Sequence, residues 1–543
     1  MRVLNVAVPL FACCVTSCTL ESEPQPSAAV AEEALIGHAA SNDWAMSTYD
    51  VSGSGYNRAE HRLGRGNVAD LEEKWRFDSE RAAAPVGPIH ATPVVANGTT
   101  FVGSSTGTFY ALDCEGTLIW SVETALSDPL LVPLAGERTP IYGAAALPQL
   151  EDTVVFADTA GNVNKLKRAN GEYIWSVDIS SQTFAGMWGN ALALAGDLVL
   201  VGLASFEDGA QLVDPDYRCC DHRGGVVALD LETGEERWRY ESITESMQGP
   251  FPSDLIAQLG GFEQYGPSGG DVWSQPTYDA DSKTVYVSTG QLFSRAADGG
   301  GPTTYDAIIA LDATNGKVRW SRQFTPTLDV WRFDITNPDA TGTWLDRDMS
   351  DSPKIYRLKD GRKVVAAGQK TGEFHVVDAA SGALVRTAAL IDQATTEGGL
   401  QSGGAVAEKL VFQHGLDTSS VAGAPYDGVV LGISSDAREQ RWRIGLPASP
   451  LLAGLAVANG VLYFQSPFEE SVDAPGMPAT WALYAVHTAT GAVLNRLTFP
   501  GRALNGPAVS AGRVYAGFGN GIAHGITTTE PAGGVVCLGL PDE

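Results

Sequence analysis

Residues 217–225, Tyr-Arg-Cys-Cys-Asp-His-Arg-Gly-Gly, place two adjacent cysteines, Cys219 and Cys220, just before His222. Three chemistries use such residues: covalent haem attachment, zinc ligation and disulfide formation. A c-type haem needs two residues between its cysteines and a histidine directly after the second, and no Cys-x-x-Cys-His occurs in the chain. Zinc fits poorly, because adjacent thiolates suit a tetrahedral site badly and no second Cys/His pair at ligand spacing accompanies them. A vicinal disulfide or two free thiols are left. The eight histidines are scattered with no His-x-His pair, which gives little basis for a metal-dependent hydrolase.

The rest of the chain must position that stretch. With 543 residues, 44% hydrophobic and 18% charged, it is long enough for a substantial core. A net charge of −28 argues against nucleic acid and for basic partners or cationic ligands, with simple solubility of an exported protein as the plainer explanation. Residues 1–18 read as an export signal: a single basic residue, a short apolar run, then Val-Thr-Ser before Cys18. That ending is similar to a bacterial lipoprotein cleavage site, so the only expected membrane attachment is a lipid on Cys18. Residues 19–40, rich in Ser, Pro, Ala and Glu, read as a flexible tether. No later segment approaches the ~18 uninterrupted apolar residues of a membrane helix.

From residue 41 onward one pattern recurs. Residues 226–240 and 308–323 both run from an apolar strand to Asp, then Thr or Asn near Gly, with Trp eight residues after the Asp. Residues 110–122 repeat it one residue shorter; 164–177 lack the Asp but keep Gly171 and Trp175. In 374–388 Arg386 stands where the Trp is expected, while 432–444 keep Trp442 and 483–497 keep Thr490 and Gly491. Each copy is a hairpin with a left-handed turn position, and most are preceded by another strand–turn–strand. Residues 67–78 offer a Trp without the turn. Small sheets repeating every 45–80 residues predict an all-β propeller, and eight copies predict eight blades across 41–543 with each Trp packed between neighbouring blades. Sandwich modules would repeat at about 100 residues.

The Asp-x-x-Thr-Gly-x-x-x-Trp repeat resembles that of the quinoprotein alcohol dehydrogenases, which bind pyrroloquinoline quinone and calcium. Four segments (202–230, 269–291, 306–331 and 368–378) occur in that family's order and are most similar to its polyvinyl-alcohol dehydrogenase branch. Carried onto this chain, the resemblance implies Glu207, Gln291 and Asp329 at a calcium ion, with Asp329 also as catalytic base. It implies Lys370 at the quinone oxygens, where it also serves catalysis, and Trp273 beneath the quinone ring. Cys219, Cys220 and Arg223 match the branch's Cys-Cys-x-x-Arg-Gly, so the resemblance implies a vicinal disulfide in the loop above the cofactor. The residue types suit these roles. Hard cations take carboxylate and amide oxygens, a carboxylate can accept an alcohol proton, and a flat cofactor stacks on indole.

Three features depart from the family. Gln291 replaces the expected asparagine and is one methylene longer, 184–194 lack the expected Thr-Gly-Ser-Pro, and 398–406 lack the expected Trp. The chain carries no haem motif, so the resemblance implies electron transfer to a separate soluble cytochrome c, and the acidic surface suits a basic partner. The expected activity is oxidation of a secondary alcohol, polymeric alcohols included, in the periplasm or at the outer membrane. The competing expectation is a non-catalytic propeller lipoprotein acting as an assembly scaffold or binding module, because such scaffolds share the repeat.

Overall fold

The computed structural model describes residues 42–541 except for several segments, chiefly 128–136, 187–191, 208–219, 253–262, 295–303, 330–346, 392–398, 418–426, 447–453 and 528–532. The export and tether expectations for 1–40, and Cys219, lie outside the described residues. No described helix is long and apolar enough to cross a membrane.

Eight antiparallel sheets form an eight-bladed β-propeller. Blades 1 to 7 follow chain order, each running from an inner to an outer strand. Blade 3 contains Leu192–Ala195, Leu198–Ser205, Gly225–Asp230 and Glu236–Glu241. Blade 4 contains Thr277–Asp279, Thr284–Ser288, Ala307–Asp312 and Val318–Gln323, and blade 5 contains Lys354–Arg357, Lys363–Gly368, Glu373–Asp378 and Leu384–Ala389. Blade 2 has three strands, its innermost position held by the Ala146–Val155 bridge. Blade 8 closes the ring: Glu72–Asp78, early in the chain, is its outer strand and pairs with Gly534–Gly539 from the C-terminal end.

Burial explains the hydrophobic patterns. Gly225–Asp230 is buried along nearly its whole length because both faces meet other blades, so it reads as a continuous apolar run. The outer Glu236–Glu241 buries only Trp238 and Tyr240 and therefore alternates. Between blades 1 and 2, Phe109 and Phe156 stack with ring centroids 4.2 Å apart.

Each outer-strand tryptophan reaches into the turn of the following blade. Trp75, Trp120, Trp175, Trp238, Trp320 and Trp442 donate their indole N–H to the carbonyls of Cys114, Arg168, Leu231, Ala313, Ala379 and Thr488, at 2.7–3.2 Å. The ring itself lies on the turn glycine. Gly316 has φ +70, and a Cβ there would stand 2.6 Å from the Trp238 ring. Two junctions lack a tryptophan, at the two copies of the repeat whose sequence carries none. Where blade 5 has Arg386, the Tyr356 hydroxyl donates to the Ser435 carbonyl of blade 6 at 2.8 Å. In blade 7 the position is Asn495, whose amide donates to Val68 O at 2.9 Å, just ahead of the closing strand. The hydrogen bond is preserved at both, while the large apolar ring is not.

Residues 42–57 add a second closure that runs across the inner strands. Trp44 pairs with Val95 of blade 1, and the carbonyls of Ala45, Val51, Ser52, Ser54 and Gly55 accept from Leu147, Tyr278, Ile355, Val406 and Val457 at 2.7–2.9 Å. Asn57 then donates to Val509 O of blade 8 at 2.8 Å. The chain thus touches seven blades through hydrogen bonds before its closing strand begins.

The glycine–indole contact predicts a contrast between two left-handed glycines. Gly361 has φ +87 and open space where a Cβ would sit, whereas Gly382 has φ +67 and the Trp320 ring at 2.5 Å. Gly361→Ala should cost about 1 kcal/mol from backbone strain alone, and Gly382→Ala a further 1–3 kcal/mol, roughly, from overpacking. Urea denaturation of both variants measures the difference; equal losses would show that the indole contact contributes nothing to the docking.

Candidate active site

The residues picked out by the sequence come from the strand ends and connections of blades 3, 4 and 5. Glu207 follows the second strand of blade 3 and is buried. Its carboxylate accepts the backbone N–H groups of Asp221 (2.8 Å) and His222 (2.7 Å), so it anchors the stretch that directly follows the paired cysteines. Burial pushes this carboxyl up to about 7, against the pull of those two N–H groups. Cys220 is buried and disulfide-bonded, and its N–H donates to Tyr265 O at 3.3 Å.

Asp271, two residues before Trp273, links blade 3 to blade 4. Its carboxylate accepts from Ser205 N at 2.7 Å and lies 3.1 Å from His222 Nε2, while its carbonyl accepts from Gly290 N at 2.8 Å. Burial alone would lower the His222 pKa, but the charges of Asp271, Glu207 and Asp221 outweigh it and raise the value. Gln291 comes next, a buried residue whose carbonyl accepts from Gly270 N at 2.8 Å. Leu292 N donates to the carbonyl of Asp329 at 3.2 Å, which places Asp329 beside the Gln291 turn. Asp329 is fully buried, and its carboxylate accepts Arg347 N at 3.1 Å.

Lys370 reaches this turn from blade 5. Its ammonium donates to Asp348 Oδ2 at 2.7 Å and stands 5.0 Å from the centroid of the Trp273 ring. The other oxygen, Asp348 Oδ1, accepts Gln291 N at 2.5 Å. A Cβ on Gly290 would lie 2.8 Å from Asp348 Oδ1 and 3.3 Å from Trp273 Nε1, so glycine there lets carboxylate and indole close on the turn. Trp273 is half-buried and belongs to none of the apolar core clusters among the described residues, unlike the blade-docking Trp238.

Asp348 thus joins Lys370 to the Gln291 turn close to Trp273, Asp329 lies beside that turn, and Glu207 is linked to it through His222 and Asp271. Arg223 is committed differently: its guanidinium donates to the carbonyls of Ile243 and Glu245. The sequence did not mark out Asp271 or Asp348, and it flagged His222 beside the cysteines without its links to Glu207 and Asp271. Asp271 sits in the Gly-Gly-Asp-Val-Trp stretch and was within reach of inspection, whereas nothing around Asp348 marks it out. Segment 398–406, which lacks the expected Trp, serves Lys370 in another way. Gly399, at φ +75, lies so close that a Cβ would collide with the Lys370 carbonyl, and Leu400 N donates to Gln369 O at 3.1 Å. Residues 184–191 lie outside the described residues, apart from the short pairing of Ala185–Gly186 with blade 3.

The segment holding Asp348 is itself fixed. Three residues on, Asp351 is fully buried and takes Lys354 Nζ at 2.6 and 2.5 Å, Gln413 Nε2 at 2.8 Å and Gly368 N at 3.0 Å. Gln369 donates to Arg347 O at 2.7 Å and accepts from His375 Nε2 at 3.0 Å in the tautomer that protonates that nitrogen.

A family model for the β-propeller domain of PQQ-dependent glucose, ethanol and alcohol dehydrogenases matches residues 44–388. The chain belongs to this family. Polyvinylalcohol dehydrogenase of a Pseudomonas species is 28% identical over 324 residues, covering 58% of this chain and 46% of that enzyme. Quinohemoprotein alcohol dehydrogenase of Comamonas testosteroni is 26% identical over 398 residues, 69% of this chain and 51% of that one. The chain thus spans about half the length of these curated relatives. Among solved structures, the Comamonas enzyme superposes with TM-score 0.65 at 20% identity over 92% of this chain and 80% of its own. BamB of Moraxella catarrhalis gives TM-score 0.51 at 15% identity over 86% of this chain and 99% of its own. Both structural likenesses speak for the fold alone.

His375 predicts a pH effect on stability. Burial drives its imidazole down to about 3 from an ordinary 6.5, so the folded protein keeps it neutral while the unfolded chain protonates it. The resulting stability is complete above pH 6.5 and is lost as pH falls toward 3, by up to about 1.4 kcal/mol per pH unit. Melting temperatures between pH 7 and pH 4 should fall more steeply for the wild type than for His375→Gln; parallel curves would refute a neutral buried His375.

Proposed function

We propose that this propeller is a quinoprotein alcohol dehydrogenase that uses pyrroloquinoline quinone and Ca²⁺. The reading rests on one observation above the others: a buried carboxylate holds the Lys370 ammonium over the half-buried Trp273 ring, beside the Asp329–Gln291 turn. The bound quinone would supply the two-electron acceptor for alcohol oxidation. An indole face with a cation above it suits a flat, anionic, electron-poor ring. Lys370 would bind the ring's oxygens and stabilise negative charge there. Asp329, buried next to the same turn, would accept the alcohol proton.

The donor set suits a hard cation. Glu207 and Asp329 offer buried carboxylate oxygens and Gln291 an amide oxygen, and a cation would offset the burial that raises the Glu207 carboxyl. Among the described residues no three His, Cys, Asp or Glu side chains stand close enough to hold a metal alone. A calcium ion here would therefore draw on the Gln291 amide and the quinone's own oxygens. Cys219 and Cys220 would form the vicinal disulfide beside the ring, with Arg223 bracing the loop through its carbonyl contacts.

The substrate class, a secondary alcohol with polymeric ones included, follows the polyvinylalcohol dehydrogenase relatives. A soluble cytochrome c as acceptor accords with the name of another relative, lupanine 17-hydroxylase [cytochrome c], 25% identical over 342 residues. Export to the periplasm, with a lipid on Cys18, completes the reading. The scaffold alternative is favoured by the fold shared with BamB and by the Gln291 departure.

Reconstitution separates the two. The purified chain should bind about one equivalent of pyrroloquinoline quinone with Ca²⁺ and oxidise simple secondary alcohols in a dye-linked assay. Asp329→Asn should keep the quinone and lose turnover by a factor of about 100 or more. A well-folded protein that binds no quinone would leave the scaffold reading. Gln291→Asn, which restores the family's ligand length, should tighten Ca²⁺ binding in the quinone complex by calorimetry; weakened binding would show that the site has adapted to glutamine.

A further inference from the structure

We propose that Asp348 is the positioning residue of this site: one carboxylate sets both the orientation of Lys370 over the Trp273 indole and the place of the Gln291 turn. The inference rests on the quinone reading for its consequence, but its geometry is independent of that reading. Asp348 Oδ2 takes the Lys370 ammonium at 2.7 Å, and Oδ1 takes the Gln291 backbone N–H at 2.5 Å. The Asp348 carbonyl accepts Lys370 N at 3.0 Å, so lysine backbone and side chain are both held by the same residue. Both of these carboxylate partners are donors, one from blade 4 and one from blade 5. Lys370 is a flexible side chain whose ammonium needs a fixed anion to stay in one place. Asp348 can supply it because Asp351 and Gln369 immobilise its segment.

An aspartate is required at this position by the count of donors and acceptors. Asparagine has nearly the same shape but presents one oxygen and one NH₂ group. Its NH₂ must face either the Lys370 ammonium or the Gln291 N–H, both donors, so one contact is lost whichever way the amide turns. Asp348 touches no reacting atom in this account; it acts through Lys370 and the Gln291 turn.

The test uses the full chain and three variants: Asp348→Asn, Lys370→Met and the pair combined. Quinone binding is measured by absorbance titration, folding by thermal melting, and the environment of Trp273 by fluorescence after subtraction of a Trp273→Phe spectrum. Asp348→Asn is expected to fold, to bind quinone about tenfold or more weakly, and to shift the Trp273 emission in the same sense as Lys370→Met. The double variant is expected to bind more weakly than Lys370→Met by a smaller factor than Asp348→Asn shows alone, because only the Gln291-turn part of the aspartate's effect remains once the lysine is gone. Losses that multiply in the double variant would overturn the proposal, as would Trp273 emission that Asp348→Asn leaves unchanged. Failure of Asp348→Asn to fold while Lys370→Met folds would also overturn it, making the aspartate a scaffold residue. If the wild type binds no quinone, the functional reading falls, and the emission change alone decides the role of Asp348.

Discussion

The propeller depends on a single recurring contact, the indole of one blade seated on the left-handed glycine of the next and donating to the carbonyl beside it. The contact joins three demands in one place. The turn needs φ > 0, the ring needs a residue without Cβ beneath it, and the carbonyl needs a donor because the hairpin leaves it free. Asp at the turn start completes the unit: Asp230 accepts the N–H groups of Glu232 and Thr233 at 3.0 and 2.9 Å, which tightens the bend that carries Gly234. Because the donor and the acceptor belong to different blades, each hairpin gains its full stability only when its neighbour is present.

Ring closure follows from the same logic. An open series of blades would leave an apolar blade face uncovered at each end. Glu72–Asp78 ties the two ends of the chain together by serving as the outer strand of the last blade, and Asn495 ties that strand's approach to blade 7. The preceding segment, 42–57, stitches the inner strands together. A site made from the connections of blades 3, 4 and 5 can then be held to fractions of an ångström without a rigid loop of its own, since its supports are the strand ends.

That site is a buried polar network whose members hold one another in place. Asp271 links the end of a blade 3 strand to the Gly290 turn, Asp348 links that turn to Lys370, and Glu207 ties down the residues after the cysteine pair. Removing any one would break buried hydrogen bonds of several others, which costs more than the same bonds would at the surface. The backbone of Gln291 is fixed by Asp348 through its N–H and by Gly270 through its carbonyl.

Local signals determined the fold. The turn glycine, the Asp that bends the chain and the Trp eight residues later are all close in sequence, so the propeller and its number of blades were legible without coordinates. The family motifs likewise made Glu207, Trp273, Gln291, Asp329 and Lys370 readable as candidates, each in a stretch of recognisable spacing. Which residues hold them was decided only in three dimensions. Asp348 stands 57 residues from Gln291 and 22 from Lys370, and no periodicity couples such distances. The same is true of Tyr356 and Asn495 at the two junctions without tryptophan. Their hydrogen bonds replace the indole's from other strands or with other side chains, and a pattern search for the ring cannot see a bond that survives without it. The seating of 42–57 across the inner strands is a product of closure: those carbonyls find their donors only after the blades have formed a ring.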